Sequence, residues 1–146
     1  MAAGFARRSL MAEIQTGLQT LCDAGTSTVI DLKTQPFSAI EIADVQADLG
    51  TGEVTATLEA MGRSTVSETA LPGVWLVEHR DAAGRLQTQQ IEITTIPEIL
   101  CAQRPDVLRG LGGLTRMPDA ATTQENMHVR AIDWATDRPP DLGGGS

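Results

Sequence analysis

Between Glu53 and Thr95 the chain carries four short β-rich runs, each closed by a turn signal. Strands this short, separated by so few residues, suit a mainly antiparallel sheet. In Glu53–Glu59, Val54, Ala56 and Leu58 alternate with Glu53, Thr55, Thr57 and Glu59, so one face is dry and one is wet. Ala60 to Arg63 supplies a turn, with Gly62 available for a positive φ. In Ser64–Ala70, Val66 and Ala70 share a face with Glu68. A carboxylate there needs either a hydrogen-bond partner or a bulge that moves it off that face. Pro72-Gly73 breaks the run. Gly73–Arg80 contains Val74, Trp75, Leu76 and Val77 in succession, apolar on both faces, as in a central strand. Asp81 to Gly84 is a hairpin turn. In Arg85–Ile93, Leu86 falls on one phase and Ile91 and Ile93 on the other, which predicts a bulge near Gln89-Gln90 or a strand that becomes regular only after it.

The flanking segments read as helices and tail. Residues 1–6 are expected to fray. Leu10, Ile14, Leu18 and Leu21 recur at helical spacing from Arg8 to Cys22, although Gly17 weakens that helix. Ser27–Leu32 is a β-branched run suited to a sheet edge. Ser38 and Glu41 form a capping-box pattern opening a helix to Leu49, with Phe37 placed to staple onto Ile42 and Gly50 to terminate it. Pro97 starts a helix in which Ile99, Leu100 and Cys101 face inward. Pro105 forces a restart, and Gly110, Gly112 and Gly113 end the second piece. The expected fold is α+β: a mainly antiparallel sheet of four to five strands with two to three helices on one face. One domain spans 1–117 in the order α-β-α-β-β-β-β-α, followed by an irregular tail over 118–146 in which Val129, Ile132 and Trp134 are the apolar exceptions. No internal repeat is visible.

Composition narrows the function classes. The net charge is −8, and the eleven basic residues are scattered, which argues against nucleic acid and against a polybasic membrane contact. An acidic surface steers basic partners toward itself. With no Tyr and two each of Trp and Phe, the core must be aliphatic. Cys22 and Cys101 lie far apart and outside any Cys-x-x-Cys, which favours two reduced, mostly buried thiols in a cytoplasmic protein over a disulfide between them. Arg7-Arg8 precedes a stretch interrupted by Glu13, Gln15 and Gln19, so a signal peptide is rejected and no transmembrane run exists.

Candidate chemistry is sparse. His79, His128, Cys22 and Cys101 are too widely spaced for a zinc site, and Asp44/Asp48 and Asp133/Asp137 are helix-face pairs rather than a calcium loop. Cys22 or Ser67 with His79 lacks any nucleophile elbow. The glycines around Gly112 follow a helix rather than linking strand to helix, so they are not a phosphate loop. Glu68 and His79 form a candidate acid–base pair for a small-molecule enzyme if they converge. Trp75 reads as core filler or as an exposed aromatic anchor.

Three blocks, Gly52-Glu-Val-Thr-Ala-Thr, Glu68-Thr-Ala-Leu-Pro-Gly-Val-Trp75 and the hairpin ending in Ile-Pro-Glu98, resemble the hydrogenase expression/formation proteins of the HupH/HyaF/HoxQ type. The matching positions are Gly52, Glu53, Val54, Glu68, Thr69, Gly73, Val74, Trp75, Ile96 and Pro97, and the likeness runs from about Ile30 to Leu111. The resemblance implies assembly work rather than catalysis. The chain would be a cytoplasmic, chaperone-like accessory in nickel–iron hydrogenase maturation that binds the small-subunit precursor before twin-arginine export, with a thioredoxin-like accessory protein beside it. No catalytic residue, cofactor or metal transfers from the family. Glu53, Glu68, Thr69, Pro72 and Trp75 are the expected partner-binding positions. Many members are longer and contain more than one such unit. A homo-oligomer joined through edge strands is the remaining alternative.

Overall fold

A computed structural model describes residues 2–118. The chain divides into two compact units, Met1–Leu100 and a second that begins at Cys101. The first unit runs α1 (Ala2–Ala24), β1 (Thr28–Asp31), α2 (Ala39–Leu49), β2 (Thr55–Glu59), β3 (Arg63–Glu68), β4 (Val74–Arg80), β5 (Leu86–Ile93) and a single 3-10 turn at Glu98–Leu100. The five strands form one antiparallel sheet in the order β1-β5-β4-β3-β2. This is the expected α+β fold, with β4 central and β1 at an edge.

Pairing fixes which residues share a face. Val74 and Leu76 of β4 stand opposite Ile93 and Ile91 of β5, and Ile91 stands opposite Ile30 of β1. Leu10 and Ile14 of α1 and Val45 and Leu49 of α2 close over this surface, and with Leu32 they make the main core. Each fully buried side chain of this kind stabilises by roughly 1.5–3 kcal/mol. The opposite face holds a second cluster, Val66, Trp75 and Val77, with Ala56, Leu58 and Leu100 packed against it. Trp75 is buried there, and its Nε1–H donates to the Thr94 carbonyl at 3.1 Å.

The α1 helix starts at Ala2, earlier than expected. The alanines ahead of Phe5 are strong helix formers, and Arg7 forms an ion pair with Asp48 of α2. Gly17 is a contact point rather than a weakness. A Cβ at this position would lie 2.4 Å from Cδ1 of the fully buried Ile93, so glycine lets α1 settle directly on β5. The α2 start matches the sequence pattern: Ser38 Oγ accepts from the Glu41 N–H, and the Glu41 carboxylate accepts from the Ser38 N–H at 2.7 Å. Hydrogen bonding from the Ser38 backbone N–H, and secondarily from its side chain, holds the Glu41 carboxyl below the usual range.

Three local expectations need correction. The bulge lies at Gln87, not at Gln89-Gln90: Thr88 faces His79 and Leu86 faces Arg80, while Gln89 and Gln90 pair regularly with Glu78 and Val77. The cause is the turn. Asp81 accepts from the N–H groups of Ala83 and Arg85, from Arg85 Nε and from Gln87 Nε2, which draws Gln87 out of register. Cys22 and Cys101 are exposed, not buried; Cys22 stands one position past the Leu18/Leu21 stripe that packs on the core. Ile99 is exposed as well, because only a 3-10 turn forms at Glu98–Leu100.

In the second unit the described part is α3 (Arg104–Thr115), with Pro105 in its first turn. Gly110, Gly112 and Gly113 lie inside this helix instead of ending it. A glycine stops a helix by turning to positive φ, and none of the three does so. The irregular tail expected from 118 onward, with His128, Asp133, Asp137 and Trp134, falls beyond the described residues, Pro118 aside.

Two stability measurements follow. Gly17→Val should lower the unfolding free energy by about 1–3 kcal/mol in urea denaturation, because its side chain must displace Ile93; an unchanged midpoint would contradict the close packing. Glu92 has its carboxyl raised above the usual range, first by burial and then by the negative charge of Glu98. Its charged form therefore costs stability above the folded pKa, and that cost disappears as pH falls through it. Glu92→Gln should raise the thermal midpoint at pH 7 and lose this advantage in acid. An advantage that persists at low pH would show the effect is not electrostatic.

Candidate functional site

The helix face of the sheet changes character along one cross-strand row. Ile30, Ile91, Leu76, Ser67 and Thr55 lie side by side from β1 to β2. α1 and α2 cover the apolar end of that row. Where it turns polar, a cavity of ≈ 230 Å³ opens between Val45, Gln46 and Leu49 of α2 and Leu76, Ser67 and Thr55 of the sheet, with Glu68 and Thr69 in its wall. Its floor is aliphatic and its rim carries hydroxyl and amide groups. That arrangement suits an apolar side chain carried by a polar backbone.

The wall of this cavity is a backbone crossing. Val54 O accepts from the Glu68 N–H at 2.8 Å, the Gly52 N–H donates to Glu68 O at 2.8 Å, and the Ala70 N–H donates to Leu49 O at 2.9 Å. The Glu53 N–H donates to Glu68 Oε2 at 3.3 Å. This partner is how Glu68 is accommodated; its register holds, opposite Trp75, with no bulge. A Cβ on Gly52 would meet Thr69 O at 2.5 Å and Glu68 Cγ and Oε2 at 2.9 Å. The two sequence blocks, Gly52-Glu53-Val54 and Glu68-Thr69, are therefore halves of one contact.

The five expected partner-binding residues separate in this frame. Glu53 is exposed and Glu68 half-buried, and they touch. Thr69 is buried and holds the next turn: its Oγ1 donates to Val74 O at 2.8 Å and accepts from the Leu71 N–H. Pro72 is exposed at the tip of that turn. Trp75 is 6% exposed, so its ring fills the core instead of serving as an exposed anchor.

Glu68 and His79 lie on the same face yet do not converge. Glu68 faces Trp75, His79 faces Ser64, and the Val66–Val77 pair stands between them. Four residues at roughly 3.3 Å each hold the two groups about 13 Å apart along the strands. His79 Nδ1 is instead hydrogen-bonded to Ser64 Oγ at 2.9 Å. Ser67 points to the helix face, away from His79. Among the described residues, no group of three or more His, Cys, Asp or Glu side chains is placed to hold a metal ion, and no helix is long and apolar enough to cross a membrane.

A polar cluster on the helix face escaped the sequence reading. Glu78 Oε1 accepts from Gln89 Nε2 at 3.1 Å and from Gln46 Nε2 at 3.4 Å, and Arg80 Nη2 lies 3.7 Å from Oε2. The cluster floors a recess of ≈ 460 Å³ that runs along α2 past Phe37 and Ile42. The signal was the parity of Glu78 and Gln89, which becomes visible only once the bulge is assigned to Gln87.

Residues 5–121 match the C-terminal conserved region of the HupH hydrogenase expression protein. The chain belongs to this family. It is 34% identical over 84 residues to the hydrogenase expression/formation protein HupQ of Azotobacter chroococcum mcd 1, a match covering 58% of this chain and 30% of that protein. It is 30% identical over 96 residues to the hydrogenase expression/formation protein HupH of Rhodobacter capsulatus, covering 66% of this chain and 35% of that protein. The hydrogenase expression protein HupH from Thiobacillus denitrificans ATCC 25259 superposes with a TM-score of 0.73 at 38% identity, covering 75% of this chain and 91% of that one. The matches thus span about a third of the curated relatives' length (30% and 35%).

Gly52→Ala tests the crossing. The added methyl meets a backbone carbonyl, which cannot swing aside as a side chain would, so destabilisation of about 1–3 kcal/mol is expected by urea denaturation. A neutral result would mean the two blocks are not in contact.

Proposed function

We propose that this chain is a chaperone-like accessory protein of nickel–iron hydrogenase maturation that binds the small-subunit precursor in the cytoplasm before its twin-arginine export. The family match over residues 5–121 carries this reading, since the relatives are hydrogenase expression/formation proteins. Three features support it. The net charge of −8 favours a basic, arginine-bearing partner segment. The groove beside α2 has an apolar floor and a polar rim, as a peptide-binding surface requires. The titratable groups Glu68 and His79 do not form a reacting pair. A thioredoxin-like accessory protein is the second proposed partner, acting on the same precursor.

Co-purification of the full chain with a hydrogenase small-subunit precursor, with and without its signal region, tests the reading. The expected result is a complex that weakens when the signal region is removed. Absence of any complex in both arms would sink it.

A further inference from the structure

The two edges of the sheet are not alike. At β1, the Leu32 N–H donates to Gln89 O at 2.9 Å, which sets Thr28 and Ile30 toward β5 and turns the backbone groups of Val29 and Asp31 outward. The chain then folds over that edge: Asp31 O accepts from Thr34 Oγ1 at 3.1 Å, and Asp31 Oδ1 accepts from the Lys33 N–H at 2.9 Å. At β2 the phase is set by Val54 O accepting from the Glu68 N–H at 2.8 Å and by the Ala60 N–H donating to Gly62 O at 3.0 Å. Ala56 and Leu58 therefore bond inward to β3, and Thr55, Thr57 and Glu59 present their N–H and C=O groups outward. Among the described residues nothing meets them. Proline, lysine and bulges are the usual guards of an edge, and β2 has none of these.

The same phase aims a sixth strand at the cavity. A residue bonded across from Thr55 places its side chain on the face that Thr55 occupies, which is the row leading through Ser67 to Leu76. The ≈ 230 Å³ cavity opens there. A dry cavity of about 150 Å³ admits benzene, so this one has room for a phenyl or branched aliphatic group. The charge around it is negative. Arg63 pairs with Glu59 at 2.7 Å, while Glu53 and the Glu68 carboxylate that accepts from its N–H leave negative charge at the start of the strand. A second copy would bring the same carboxylates and another net −8 to the edge, so repulsion disfavours self-pairing.

We propose that the open edge of β2 receives an extended segment of another polypeptide as a sixth strand, with a bulky apolar side chain entering the cavity beside α2 and basic side chains flanking it. Main-chain bonds to Thr55, Thr57 and Glu59 supply affinity, and the cavity supplies specificity. The inference rests on the function proposed above only in taking the ligand to be a polypeptide.

The test uses the full chain with two probes: a hydrogenase small-subunit precursor, and a capped heptapeptide of threonines with phenylalanine in its interior and arginine at both ends. Thr57→Pro removes an outward N–H without breaking a ladder bond. It should weaken both probes about tenfold or more and leave the unfolding midpoint unchanged. If that variant does not fold, N-methylation decides on the wild-type chain: methyls on alternate peptide nitrogens abolish binding in one phase and spare it in the other. Thr55 and Thr57 amides should gain exchange protection in the complex. Precursor binding that is indifferent to Thr57→Pro and gives no such protection overturns the edge and leaves the maturation role standing. Edge-dependent peptide binding without precursor binding does the reverse. Binding of neither probe overturns both, and a concentration-dependent dimer abolished by Thr57→Pro overturns the peptide proposal in favour of self-pairing.

Discussion

Burial of Ile30, Ile91, Ile93 and Val74 governs the first unit. These four residues occupy the β1–β5–β4 part of one sheet face, and each is at most 2% exposed. Nothing but an apolar helix surface can cover them, so α1 and α2 are drawn to that part and not to the remainder. Gly17 allows α1 the close approach this requires. The β3–β2 part of the same face carries Thr65, Ser67, Thr55 and Thr57, which have no need of a cover. The groove beside α2 is the boundary between the two regimes. It follows from how far across the sheet the aliphatic residues extend.

Much of this was legible in the residues. The alternation in β2, the doubly apolar β4, the Asp81–Gly84 turn and the Ser38/Glu41 cap are local patterns with local causes, and each appears close to where the sequence put it. What misled was less local. Leu86 and Ile91 were correctly out of phase, but the slip was assigned to the wrong residues because the pull of Asp81 on Gln87 is a side-chain effect without periodicity. Glycines misled twice, in opposite directions. Gly17 looked like a helix weakness and is a packing contact, while Gly110, Gly112 and Gly113 looked like a stop and are ordinary helical residues. A glycine's meaning depends on what lies opposite it, and composition does not carry that.

The candidate site shows the same division. Gly52-Glu53-Val54 and Glu68-Thr69 stood out as separate blocks, and the structure joins them through two backbone bonds and one side-chain bond. Trp75 stood out for its size and turned out to be interior. The Glu78–Gln46–Gln89 cluster did not stand out, since its members come from three elements and meet only when the sheet register is known.

The strand order concentrates the ordering entropy at one seam. β2 to β5 follow one another through short connections, so each pairing closes a small loop. β1 instead joins β5 across α2 and the whole meander, Thr28 meeting Ile93. Loop closure grows costlier with chain length and non-local pairing slows folding. The β1–β5 junction therefore carries the largest loop-closure cost of the four strand pairings.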